Sequence, residues 1–183
     1  MAHELETQRL LLVPFADGHV DALHALWTNP EVRRYLWEDE VIPRSRAEEM
    51  VAASQRTFEE RGFGFWSMFL KSEPESLMGF CGFRVFEETD EPELLYGILP
   101  RAWGKGYVTE AGHAAIRFGF EVCGFERILA ATDTPNQSSV NVMQRLGMIF
   151  ESRRQFHGLD TVFYSISPAD HADFLAMAPL PRR

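Results

Sequence analysis

Apolar residues recur along the chain at two different spacings, and each spacing predicts a different kind of element. Short, nearly unbroken apolar runs predict buried strands at residues 9–15 (RLLLVPF), 65–70 (FWSMFL), 77–86 (LMGFCGFRVF), 93–99 (ELLYGIL), 127–132 (RILAAT), 148–156 (MIFESRRQF) and 161–167 (TVFYSIS). Helical spacing fills most of the gaps. Asp17 is placed to cap a helix bearing Val20, Leu23, Leu26 and Trp27, and Asn29 followed by Pro30 starts a second, shorter one. Ser45-Arg46-Ala47-Glu48 matches a capping box that opens a helix running to about Gly62. Val108, Ala111, Ala115, Phe118 and Val122 share one stripe that ends at Gly124. Asn136 can cap a helix carrying Val140, Met143 and Leu146, stopped by Gly147, and Ser167-Pro168 starts a last helix.

The polar stretches KSEPES and EETDEPE each contain proline and separate three successive strands, so they predict turns between antiparallel neighbours. The strand–helix–strand unit that follows predicts one right-handed parallel crossover. Neither a repeat nor a linker interrupts the pattern. The expectation is one α+β domain over residues 1–183, with a mixed, mostly antiparallel central sheet flanked by helices.

With 183 residues and 45% hydrophobic content, the chain can bury a sizeable core. Eighteen Lys and Arg against 27 Asp and Glu leave a net charge of −9, which argues against a nucleic-acid partner held by phosphate contacts. The two cysteines, Cys81 and Cys123, sit in apolar segments and read as buried thiols, not as a disulfide or zinc site. The six histidines lack metal-site spacing, so no metal is expected. The N-terminus lacks a basic start followed by an apolar stretch, and no run approaches the roughly eighteen apolar residues of a membrane span. A cytoplasmic chain with no membrane partner is expected.

The segment LPRAWGKGYVTEAG, residues 99–112, places two spaced glycines between a strand and a helix start. Free amides in a first helical turn, together with the helix dipole, favour an anion there. Gly104 and Gly106 permit unusual dihedrals and a close backbone approach, and Arg101 and Lys105 add positive charge. A plain tight turn is the other reading of the same glycines. The nucleotide P-loop pattern fails, because Gly106 follows Gly104-Lys105 where Ser or Thr is needed. The dinucleotide fingerprint fails at Thr109. That leaves R-x-x-G-x-G, at Arg101, Gly104 and Gly106, and no nucleotide enzyme.

On these residues the sequence resembles the GNAT superfamily of acetyl-CoA-dependent N-acetyltransferases, in particular the branch of ribosomal-protein N-terminal acetyltransferases of the RimJ/RimL type. LETQRLLLVPF is similar to that branch's opening strand, NPEVRRYL to its second helix, YGILPRAWGKGYVTEA to its pyrophosphate arm, and NQSSVNVMQRLGM to its pantetheine-side helix. The resemblance implies that the strands at 93–99 and 127–132 splay apart and hold acetyl-pantetheine between them. It implies that the unpaired strand edge near Tyr96–Leu99 hydrogen-bonds the pantetheine, and that an amide there, at Ile98 within one residue, stabilises the oxyanion. It also implies a diphosphate cradle from Trp103, Gly104, Lys105, Gly106 and Tyr107, and a pantetheine contact from Asn136, which can equally be a helix cap. The implied donor is acetyl-CoA and the acceptor a primary amine, on a protein N-terminus or a small molecule. Dimers are frequent in the branch, which leaves a homodimer open.

The catalytic residues depart from the superfamily's usual pattern. Its tyrosine acid, seven residues after the asparagine, is replaced by Met143, and a base carboxylate found in some members by Ala131. Ser139 is the nearest hydroxyl by sequence, as a proton donor or an ordinary first-turn serine. Glu93 is the candidate base, directly or through water, or a solvated strand-end glutamate. Glu87, Glu88, Asp90 and Glu91 form an acidic turn that either attracts a cationic acceptor or is plain exposed surface. Trp37, Phe63, Phe65 and Trp66 either wall an amine pocket or pack the core. A CoA-binding module without turnover is the alternative to an enzyme.

Overall fold

The computed structural model describes residues 3–177, so the two ends of the expected 1–183 domain lie outside the described residues. Eight strands form one sheet: β1 (Leu5–Glu6), β2 (Leu10–Pro14), β3 (Phe65–Leu70), β4 (Glu73–Val85), β5 (Pro92–Ile98), β6 (Ile128–Asp133), β7 (Ile149–Phe156) and β8 (Leu159–Ile166), in the spatial order β1-β2-β3-β4-β5-β6-β8-β7. Every neighbouring pair is antiparallel except β5 and β6, which are parallel. The helices are α1 (Val20–Thr28), α2 (Pro30–Arg33), α3 (Arg44–Arg61), α4 (Tyr107–Glu121), α5 (Gln137–Arg145) and α6 (Pro168–Met177). The mixed, mostly antiparallel α+β architecture is as the hydrophobic pattern predicts.

Alternation along the central strands sends side chains into two cores. Leu10, Leu12, Trp66, Met68, Phe83 and Leu94 bury against Ala111, Ala115 and Ile116 of α4 and Met143 and Leu146 at the end of α5. On the opposite face Phe65, Phe69 and Phe80 pack with Leu23, Leu26 and Trp27 of α1 and Ala47 and Val51 of α3. Both layers bear on the middle of the sheet and hold β4 and β5 rigidly in place.

Several local signals act as read. The Asn29 side chain accepts from the Glu31 amide at 3.0 Å, and Gly62 ends α3 in the left-handed region. Ser167 and Asp170 cap α6 reciprocally, each side chain accepting from the other's amide.

Others are corrected. Asp17 is not a cap: it lies within a 3-10 turn, Asp17–His19, that leads into α1. Ser45 is not a cap either. α3 begins two residues earlier than that cap implies, at Arg44 after the extended Pro43, and the Glu48 carboxylate pairs with Arg44 instead of a backbone amide. KSEPES is mostly strand, because Leu70 pairs directly with Glu73 and leaves only Lys71 and Ser72 to turn the chain. The two-residue β1 carried too little pattern to be read. Among the described residues no helix is long and apolar enough to cross a membrane, and no cluster of three His, Cys, Asp or Glu is placed to hold a metal.

Candidate active site

β5 and β6 share one registered pair, Glu93 with Leu129, and separate beyond it. The Leu99 amide donates to the Met78 carbonyl of β4 at 2.8 Å. Hydrogen bonding alternates along an antiparallel ladder, so the Gly97 amide also faces β4, while the Tyr96 and Ile98 amides face the opening toward β6. The indole N–H of Trp103 donates to the Ile98 carbonyl at 2.9 Å, taking up the acceptor on that edge. Leu99, spent on β4, has no amide to offer the wedge. Ile98 does.

Beyond the strand end the chain turns through Gly104 (φ 71°) and Gly106 (φ 77°), both in the region closed to most side chains, and α4 begins at Tyr107. Gly106 caps α4 with no side-chain hydrogen bond, which leaves the first-turn amides without an intramolecular cap. A cavity of about 560 Å³ runs from this loop through the wedge to Glu93 and Trp37. Gly104 borders it, and a Cβ built on Gly104 would meet nothing within 4 Å. Trp103, Gly106 and Tyr107 also line it, but Leu99, Arg101 and Lys105 do not. Arg101 instead turns back to β4, donating to Ser76 Oγ at 2.8 Å.

On the opposite wall, Asn136 caps α5: its side-chain oxygen accepts from the Ser139 amide at 3.3 Å, and its NH₂ donates to Thr132 Oγ1 at 3.0 Å. Ser139 Oγ lies 2.9 Å from the Tyr96 hydroxyl, which also donates to the Ser139 carbonyl at 3.2 Å. Burial pushes the Tyr96 phenol far above its ordinary value of 10, and the Ser139 hydrogen bond offsets this only in part. Tyr96 therefore stays protonated. The resemblance implies a contact from the backbone edge at Tyr96 but no role for its phenol, although strand alternation puts that side chain on the same face as Ile98, two residues on. Met143 is wholly buried in the core.

Glu93 is not a solvated strand end. Its side chain is 4% exposed and accepts from Arg84 Nε at 2.6 Å. From Glu93 the strand rise puts Tyr96 about 10 Å and Ile98 about 16 Å away. Trp37 lines the cavity with a left-handed backbone (φ 54°), and its indole N–H is buried with no hydrogen-bond partner. Phe63, Phe65 and Trp66 are core residues. The acidic turn is largely neutralised: Glu87 faces His157, Glu88 Arg154, Asp90 Arg61 and Glu91 Arg127.

A domain model described as an acetyltransferase (GNAT) domain matches residues 9–149. The chain belongs to the GNAT family. It is 28% identical over 144 residues to the uncharacterized N-acetyltransferase YoaA of Bacillus subtilis, covering 78% of this chain and 81% of that one. Among solved structures, a GNAT-family acetyltransferase from Bordetella pertussis superposes with a TM-score of 0.78 at 21% identity, over 89% of this chain and 98% of that one. RimL, a ribosomal α-N-protein acetyltransferase solved with coenzyme A, gives 0.76 at 18% identity, over 90% and 98%. These structures share the fold. As a GNAT member the chain is an N-acetyltransferase whose acetyl donor is acetyl-CoA. The loop fits that donor's diphosphate, because the space a Cβ would fill at Gly104 is open and the Gly106 cap brings no side chain.

Proposed function

We propose that the chain, as one acetyltransferase domain, moves an acetyl group directly to a primary amine within a ternary complex, and that it belongs with the RimJ/RimL-type branch. The amine is carried by a protein N-terminus, the acceptor class in RimL's name, or by a small molecule. Ile98 carries this reading: its amide is directed into a wedge that has no β6 partner, with the glycine loop at one end of the same cavity.

Acetyl-CoA supplies the thioester carbonyl that the amine attacks. The Ile98 amide, held by a strand paired with β4 along its whole length, stabilises the negative charge that develops on that oxygen. One preorganised donor of this kind contributes about 2.7–4 kcal/mol. Tyr96 and Ser139 hold protons at two hydroxyls facing the wedge and supply one to the departing sulfur. The amides of Trp103, Gly104, Lys105, Gly106 and Tyr107 receive the diphosphate, with the charges of Arg101 and Lys105 acting from outside the cavity. Asn136 supports the pantetheine side through the amide it shares with Thr132. Glu93 lies too far along β5 to touch an amine at Ile98, so it draws off the ammonium proton through water.

Neither thiol competes as a nucleophile. Burial pushes Cys81 up to about 12 and Cys123 up to about 11, so both stay protonated and inert. The test is release of free thiol from acetyl-CoA across a panel of N-terminal peptides and small primary amines. Turnover with at least one acceptor is expected, whereas tight CoA binding without turnover on any would overturn the proposal.

A further inference from the structure

We propose that Arg9, at the edge of β2, is a positioning residue that sets the glycine loop for a diphosphate that Arg9 itself does not touch; this rests on the diphosphate reading of that loop. A loop with two left-handed glycines and no side-chain cap has little of its own to hold one shape. Arg9 supplies the missing restraint from 96 residues away. Its Nη1 donates to the Lys105 carbonyl, between the two glycines, at 3.0 Å. Its guanidinium lies 4.4 Å from the centre of the Tyr107 ring, at the first position of α4.

Arg9 is fixed in turn by Glu110, in the first turn of α4. That carboxylate accepts from Arg9 Nε at 2.7 Å, the Arg9 amide at 2.8 Å and Thr7 Oγ1 at 2.6 Å, and pairs with Arg9 Nη2 at 2.6 Å. The pair is close to neutral, so Arg9 works by orientation more than by charge. A trans peptide points its carbonyl and the next amide in opposite directions. Holding the Lys105 carbonyl therefore turns the Gly106 N–H away from Arg9. Gly106 lines the cavity and Arg9 does not, so that N–H is presented on the ligand side. A Cβ on Gly106 would come within 3.7 Å of Arg9 Nη2, which places the guanidinium directly behind the loop.

The test compares CoA with pantetheine, which lacks the diphosphate, by calorimetric titration, with displacement of CoA for the weaker ligand. Arg9→Ala should weaken CoA roughly tenfold, the low end for one lost hydrogen bond to a charged group, and leave pantetheine unchanged. Arg9→Lys, which keeps the charge but not the planar fork, should recover only part of the loss. Glu110→Gln, which leaves Arg9 in place but loosens it, should give a smaller loss of the same selectivity. Parallel loss of both ligands, unchanged CoA affinity in Arg9→Ala, or full recovery by Arg9→Lys would overturn the proposal. Equal affinity of the unmutated protein for CoA and pantetheine would instead strike the diphosphate reading, a separate outcome.

Discussion

Ser139 Oγ and the Tyr96 hydroxyl stand 2.9 Å apart, joining α5 to β5 across the wedge between β5 and β6. The family's usual tyrosine position is Met143, inside the core, yet a phenol reaches the same helix one turn earlier from the facing strand. Tyr96→Phe should lower kcat roughly ten- to hundredfold, the range for a lost hydrogen bond to a charged group, with little change in CoA affinity. Ser139→Ala should likewise lower turnover more than affinity. Steady-state kinetics beside CoA titration would read the split, and equal losses in both would make the pair a binding element.

Gly104 has φ 71° at the cavity wall. A β-branched residue there costs about 1–3 kcal/mol in backbone strain and pushes its methyls into the space assigned to the diphosphate. Gly104→Val should therefore weaken CoA by at least tenfold, a loss read apart from the fall of about 2–4 °C per kcal/mol that the strain imposes on the thermal midpoint in the absence of ligand. Unchanged CoA affinity would remove the loop from the donor site.

Arg84 and Glu93 are unequal partners, the first half exposed and the second buried. Arg84→Ala strands a buried carboxylate and should destabilise the fold by about 1–3 kcal/mol. Glu93→Gln leaves only a solvated cation and should destabilise less. If Glu93 relays the amine's proton, Glu93→Gln also lowers kcat without altering CoA affinity. Denaturant midpoints and kinetics of the two variants check both halves.

Burial opposes ionisation of Glu110, yet hydrogen bonds from Thr7 and Arg9 and the Arg9 charge outweigh it and hold the carboxyl below its ordinary value of 4.5. A carboxyl depressed in the folded state stabilises the fold fully above that value, and loses this contribution as pH falls through the folded value. Glu110→Gln should lower stability near neutrality and flatten the acid limb of the stability curve below about pH 4.5. Thermal midpoints across pH measure it; an unchanged acid limb would refute it.

What the sequence made legible was local. Seven strands, the glycine turn before α4 and the Asn136 cap all depend on neighbours within a few residues, and all were readable. Asp17 and Ser45 misled because both are common cap residues beside a helix start that Ala16 and Pro43 in fact precede. The contacts that finish the site span longer distances: Tyr96 to Ser139 over 43 residues, Arg9 to Glu110 over 101. No periodicity encodes such pairs, since they arise only when the sheet order brings β2 and β5 beside the helices. The burial of Glu93 is no more legible, because its β6 neighbour Leu129 comes from beyond α4.

The lone rung between Glu93 and Leu129 makes the sheet a seam, with five strands on one side and three on the other. Whatever lies along that seam stands in for absent rungs and stitches the two flaps together. Donor affinity and the cohesion of the whole molecule are then drawn from one free energy, and the melting temperature should climb with each rise in CoA concentration.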